Sequence, residues 1–200
     1  MVDVRLTLVS ASPRRAELVR RLELPFDIIP SEVAEYWMAE SPVRLAIDNA
    51  RRKNERSSVF GDRSRVLLSA DTIVACESRI FGKPIGPESA NRMLQFLSDR
   101  THEVITGLCL SGPAFLSSAL PLIVESAAQT RVRFRELPAV EIREYIASAE
   151  WHGKAGGYAI QGHGGRFVAE LDGDFDNVVG LPLKLLDDLL RQNFIHCRFR

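Results

Sequence analysis

The sequence predicts a mixed α/β protein, and three observations predict it. Short apolar runs that read as strands alternate with segments whose apolar residues recur at helical spacing. The stretch TRVRFRE at 130–136 alternates residue by residue, with Val132 and Phe134 on one side and Arg131, Arg133 and Arg135 on the other. That is a half-exposed strand of antiparallel character. No repeat, low-complexity tract or long linker interrupts the chain, so its 200 residues read as one domain over 1–200, with room for two small lobes.

The elements follow in order. Residues 4–9 form a short buried strand. Ser12 suits an N-cap and Pro13 the first helical position, where its missing N–H costs nothing. Leu18, Val19 and Leu22 give that helix its stripe to about residue 22, and LPFDIIP reads as a second strand. Ser41-Pro42 starts another helix, in which Leu45, Ala46, Asn49 and Ala50 keep helical spacing and ARRKNER supplies a polar tail. VLLSADTIVAC at 66–76 is a central strand covered on both faces. FGKPIGP is a loop by its Gly and Pro content, and a helix over about 88–98 carries Ala90, Met93, Leu94 and Leu97 on one face. A strand at 103–111 precedes the apolar stretch GPAFLSSALPL, which reads as a lengthened hairpin ahead of TRVRFRE. Ile142, Tyr145, Ile146 and Ala149 mark a helix after Pro138. GKAGGYAIQGHGG is a glycine-rich turn region, and Leu183, Leu185, Leu186, Leu189 and Leu190 supply a last helix.

Bulk properties exclude several classes of function. Lys plus Arg equals Asp plus Glu at 26 each, so no global field draws the chain to nucleic acid or to a membrane surface. No apolar run approaches a membrane span, and the N-terminal stretch lacks the order of a signal peptide, which makes the cytoplasm the expected location. Cys76, Cys109 and Cys197 lack paired spacing and read as buried structural thiols.

Two features ask for a ligand. Arg14 and Arg15 sit in the first turn of a helix, the end that favours anions, so an anion is expected opposite them. Asp71 lies inside an apolar run, where a carboxylate is costly unless a metal or cations hold it. The competing reading places Asp71 at a strand end facing water. Lys53, Lys83 and Lys154 are further basic candidates, although Lys53 in ARRKNER alone reads as part of a solvated helix face. There is no phosphate-binding G-x-x-x-x-G-K-[ST] loop, no Cys/His zinc spacing and no G-x-S-x-G elbow. A hydrolase built on carboxylates, cations and a hard metal ion passes this filter.

S-A-S-P-R-R (10–15), S-A-D-T-I-V (69–74), G-K-P (82–84), G-K-A-G-G-Y-A-I-Q-G (153–162) and N-V-V-G-L-P-L (177–183) together resemble the Maf family of nucleoside triphosphate pyrophosphatases. The S-P-R-R and I-Q-G forms resemble its dTTP/UTP branch; the 7-methyl-GTP branch typically has a tryptophan after the proline. The resemblance implies a twisted mixed sheet flanked by helices, in two lobes around a cleft. It implies hydrolysis between the α and β phosphates of dTTP, UTP and modified pyrimidine nucleotides, with Mg2+, Mn2+ or Co2+ as cofactor. Site roles carry over by position. Ser10, Arg14 and Arg15 bind phosphate, as do Lys53 and Lys83; Glu35 and Asp71 hold the metal; Asp71 is catalytic; Arg14, Thr72 and Gln161 bear on the choice of base. Gln161, with a donor and an acceptor, suits the O4/N3–H edge that thymine and uracil share. One departure is that Glu35 sits in VAEYWMAE, with Ala34 in place of a neighbouring acid and Tyr36-Trp37 following. The alternative function is a nucleotide-binding regulator of septum formation with slow hydrolysis. The partner expected is the nucleotide itself, and the alternating TRVRFRE strand is compatible with a homodimer.

Overall fold

The computed structural model describes residues 1–114 and 120–200. Its strands and helices are β1 (Val2–Val9), α1 (Pro13–Arg20), β2 (Phe26–Ile29), α2 (Pro42–Glu55), β3 (Arg65–Cys76), β4 (Arg79–Phe81) and α3 (Pro87–Leu97), then β5 (Thr101–Gly112), β6 (Leu122–Phe134), α4 (Ala139–Ala147), β7 (Val168–Asp172), α5 (Phe175–Val179), α6 (Leu183–Asn193) and β8 (Cys197–Phe199). The strands form a sheet in the order β2-β1-β3-β5-β6-β7, with β4 paired to β3 and β8 to β1. β1 pairs in parallel with β2, β3 and β8, whereas β3/β4 and β6/β7 are antiparallel. The mixed α/β class therefore holds.

Two compact units divide the chain: Met1–Asp71, Thr106–Ala128 and Gly180–Arg200 in the first, Thr72–Ile105 and Gln129–Val179 in the second. β3, β5 and β6 contribute residues to both.

In the first unit, β1 is the organising strand. Leu6–Val9 register with Phe26–Ile29 of β2, and Arg5–Leu8 with Arg65–Leu68 of β3. Leu6, Leu8, Leu67 and Leu68 are buried with Leu18 of α1 and Leu45 of α2. Ser12 caps α1 as its spacing predicts, accepting from the Arg15 amide, and Ser41 caps α2 through the Arg44 amide. The second unit buries Val74, Leu94, Val104, Phe134, Ile142, Tyr145, Trp151, Tyr158 and Phe167 together. Phe134 and Tyr158 meet edge to face at 4.8 Å between ring centroids, a favourable arrangement for two ring quadrupoles.

The structure extends the expected elements in several places. β4, β7, β8 and α5 were not legible as periodic segments. The strand expected at 130–136 begins at Leu122, so β6 absorbs the end of GPAFLSSALPL; residues 115–119 of that stretch lie outside the described residues. The antiparallel character of TRVRFRE is borne out by its register with β7, Arg131 opposite Asp172 and Val132 opposite Leu171. All three cysteines are free and buried, and burial pushes the Cys109 thiol up to about 12, which keeps it protonated and inert. No helix among the described residues is long and apolar enough to cross a membrane.

Candidate active site

The first unit gathers a cluster around Asp71. This residue is 2 % exposed, which sets aside the reading of a strand end facing water. Its Oδ1 accepts a hydrogen bond from the Lys53 ammonium, itself 8 % exposed, in a buried ion pair. Lys53 thus lies on the buried face of α2, not on the solvated face that its basic neighbourhood suggested. The physical reason is phase. Leu45, Ala46, Asn49, Ala50, Lys53 and Asn54 make one continuous buried stripe, and that stripe outlasts the apolar residues by a full turn. The signal was present in the spacing, since a charge at the next stripe position is the anomaly to look for.

Asp71 Oδ2 accepts from Asn49 Nδ2 at 3.3 Å, so separate donors serve the two carboxylate oxygens. Ser69, two residues earlier on β3, fastens strand to helix by donating from Oγ to the Ala50 carbonyl at 2.7 Å. Asn54 adds a bond to the Cys109 carbonyl at 3.1 Å and accepts from Ser111 Oγ at 2.6 Å. These buried bonds hold α2 against β3 and β5 within this unit, which fixes the direction from which Lys53 approaches Asp71.

Arg15 reaches the same cluster from α1. Its Nε donates to the Gly180 carbonyl at 2.9 Å and its Nη1 to Ser10 Oγ at 3.4 Å. Gly180 has φ +124, in the region that favours glycine, and so turns its carbonyl to meet the guanidinium. Gly180, the glycine of the N-V-V-G-L-P-L motif, thereby finds its role in this unit: it anchors an arginine. Ser10 Oγ also accepts from the Ser12 amide at 3.2 Å, which ties it to the cap of α1.

Electrostatics link the members. Burial lowers the Arg15 pKa, Asp71 and Glu35 act to raise it, and Arg14 acts to lower it. Burial likewise lowers that of Lys53, against Asp71 and Glu35 and together with Arg15. Three cations, Arg14, Arg15 and Lys53, therefore share one field with two carboxylates, Asp71 and Glu35. The imbalance favours an anion, as the two arginines at a helix start require.

Among the described residues no three His, Cys, Asp or Glu side chains are grouped to hold a metal ion. A pair of carboxylates nevertheless suits a hard cation such as Mg2+, which typically takes one or two carboxylates and completes its shell with phosphate oxygens and water. Zinc held by protein ligands alone does not fit this donor set.

Thr72, Lys83 and Gln161 belong to the second unit. Thr72 follows Asp71 on β3 and is half-buried; Lys83 and Gln161 are exposed. Lys83 sits in a loop joined to the glycine-rich turn, because the Gly156 amide donates to the Gly82 carbonyl at 3.1 Å. The turn bearing Gln161 is held by Glu150, whose carboxylate accepts from the His163 and Gly164 amides at 3.0 and 3.1 Å. Burial would raise the pKa of Glu150, but these two amides help to leave it lowered. Lys154, the remaining basic candidate, spends its ammonium on the His152 carbonyl at 2.9 Å. Asn49, Glu150 and Gly180 are the residues that sequence reasoning missed as parts of these constellations.

The chain is similar to known proteins over most of its length. The model of the Maf-like protein family matches residues 5–193. The dTTP/UTP pyrophosphatase of Moorella thermoacetica is 42 % identical over 190 residues, covering 93 % of each chain. That of Methylococcus capsulatus is 44 % identical over 193 residues, covering 94 % of this chain and 91 % of its own. Among solved structures, the Staphylococcus aureus Ham1 protein aligns over 64 % of this chain and 71 % of its own, with TM-score 0.43 and 13 % identity.

Proposed function

The chain belongs to the Maf-like protein family, and from that premise we propose that it is a nucleoside triphosphate pyrophosphatase acting on dTTP and UTP. It hydrolyses the α–β phosphoanhydride to the nucleoside monophosphate and pyrophosphate. By accepting modified pyrimidine nucleotides as well, it keeps non-standard bases out of nucleic acid. The observation that carries the reading is the buried Asp71–Lys53 pair in the field of Arg15 and Glu35. Relatives named dTTP/UTP pyrophosphatase at about two-fifths identity over nearly the whole chain supply the substrate class, and favour the enzyme over a septum-linked regulator.

A triphosphate carries about four negative charges near neutral pH, so the protein's task is mostly positioning and neutralisation. Arg15, its Nε held by the Gly180 carbonyl and its Nη1 by Ser10 Oγ, is set in a fixed plane whose guanidinium charge suits phosphate oxygens. Ser10 and Arg14 extend that grip along the start of α1, and Lys83 adds a further cation. Lys53 holds the Asp71 carboxyl in a fixed orientation. Asp71 orients the attacking water and accepts its proton. Glu35 and Asp71 would hold Mg2+, Mn2+ or Co2+, which supplies neutralisation of charge at the phosphate oxygens. Thr72 and Gln161 read the base, and Arg14 contributes to that choice. The whole chain, 1–200, is one catalytic domain. Its buried free thiols suit the reducing cytoplasm, and the alternating strand β6 with its nearby apolar residues is compatible with a homodimer.

The test is direct. The protein is incubated with dTTP, UTP, CTP and modified pyrimidine triphosphates plus Mn2+, and pyrophosphate and monophosphate are quantified. Release of both from dTTP and UTP is expected. Saturable nucleotide binding without release would overturn the enzyme in favour of a regulator.

A further inference from the structure

Asn49 is the buried polar residue beside the site to which the chemistry above gives no task. It is 2 % exposed and lies one helical turn before Lys53 on the buried stripe of α2. Its side chain makes three hydrogen bonds. Nδ2 donates to the Tyr36 carbonyl at 3.0 Å and to Asp71 Oδ2 at 3.3 Å, while Oδ1 accepts from the Tyr36 amide at 2.7 Å. The two bonds to Tyr36 grip both backbone groups of a single residue, as a neighbouring strand would. Residues 30–39, between β2 and α2, form no helix or strand, so such a grip is what fixes their path. A second contact reinforces it from the same helix, the Arg52 guanidinium lying 5.1 Å from the centre of the Tyr36 ring.

Tyr36 directly follows Glu35. Fixing the Tyr36 peptide confines the Glu35 carboxylate to the arc of its own side chain, and the same amide that does so also touches Asp71. We propose that Asn49 is a positioning residue that locks the Glu35-bearing segment to Asp71, so that the two carboxylates face the triphosphate as one set unit. The proposal deepens the function proposed above and rests on it. An asparagine that merely anchored a loop would have no reason to share its donor with the site carboxylate. Asparagine is also the side chain that supplies the required donors and acceptor without adding charge beside Asp71.

Full-length Asn49→Asp and Asn49→Leu variants test this. Asn49→Asp keeps the shape but loses both donor bonds and sets a like charge against Asp71; Asn49→Leu removes all three bonds. Circular dichroism confirms folding, and the near-isosteric Asp variant carries the test if the Leu variant does not fold. Four quantities are read: amide hydrogen exchange over residues 33–38 without nucleotide or metal, Mn2+ affinity by calorimetry in the presence of α,β-imido-dUTP, and kcat and KM for dTTP. The expected result is faster exchange at 33–38, a loss of about 10–100-fold in Mn2+ affinity and a comparable fall in kcat. KM should change little, because Ser10 and Arg15 are untouched. Faster exchange with Mn2+ affinity and kcat unchanged would reduce Asn49 to a loop anchor and overturn the proposal, as would unchanged exchange. A wild-type protein that binds neither analogue nor metal fails the proposed function instead, and the exchange result then still decides whether the lock exists.

Discussion

Lys53 and Asp71 are each too buried to stand alone as charges, and that interdependence makes them separable by experiment. Removing one partner of a buried pair typically costs about 3–5 kcal/mol, because the other is left uncompensated. Lys53→Met should therefore lower stability by about 3 kcal/mol in urea unfolding and also abolish turnover. Asp71→Asn keeps the shape and removes the charge, so kcat should fall by about 10^2–10^4-fold. The double variant should recover most of the stability lost in Lys53→Met and none of the activity. Near-normal turnover in Asp71→Asn would remove that residue from the chemistry. Asp71 itself was legible in the sequence because a carboxylate inside an apolar run is a local anomaly. Asn49 and Gly180 were not, because what marks them is a contact at long sequence separation: 22 residues from Asn49 to Asp71 and 165 from Arg15 to Gly180.

Helix α2 carries Asn49 and Lys53, and its seat within the first unit depends on Gly107 of β5. A Cβ at that position would lie 2.3 Å from the Ala46 carbonyl carbon and 2.5 Å from the Ile47 nitrogen, both backbone atoms that cannot swing aside. Gly107→Ala should push α2 off the strand, lowering stability by about 3 kcal/mol and moving Lys53 away from Asp71. Thermal unfolding measures the first effect and pyrophosphate release the second; an alanine variant with normal Tm and rate would show that the helix has slack. In the second unit, Glu150 does for a turn what Gly107 does for a helix. Glu150→Ala frees the His163 and Gly164 amides and should loosen the turn bearing Gln161. The expected result is a higher KM for dTTP and weaker discrimination against CTP, with kcat little changed. Elements such as α2 and β3 were readable because their period runs for several turns or many residues. β4 and β8, three residues each, exist only because partners present their edges, as Val2 does to Cys197. β7, VAELD, is too polar to announce itself and is set by its register against β6.

Across the whole molecule, net charge is zero, so pH dependence of stability comes from particular buried groups more than from global repulsion. His102 is the clearest of them. It is 1 % exposed, its Nε2 lies 2.9 Å from the Tyr158 hydroxyl, and its ring meets Phe134 edge to face. Its Nδ1 is buried with no hydrogen-bond partner among the described residues, so a second proton there would be a buried charge without an acceptor. Burial lowers its pKa from 6.5 to about 4. Between those values the unfolded chain binds a proton that the folded chain refuses, so stability rises with pH across the window and is lost on acidification. The full window is worth about 3 kcal/mol, at 1.36 kcal/mol per pKa unit. Asp27, Asp62, Glu141 and Glu150, whose pKa values are also lowered, add their own losses only below the ordinary carboxylate values of 3.8 and 4.5. The interval from pH 6.5 to 5 is therefore where the histidine is best observed. Urea unfolding of the wild type should show ΔG falling by about 1–2 kcal/mol over that interval, while His102→Gln, less stable at pH 7, should give a nearly flat line. Parallel slopes in the two proteins would show that His102 does not set the acid sensitivity of the fold.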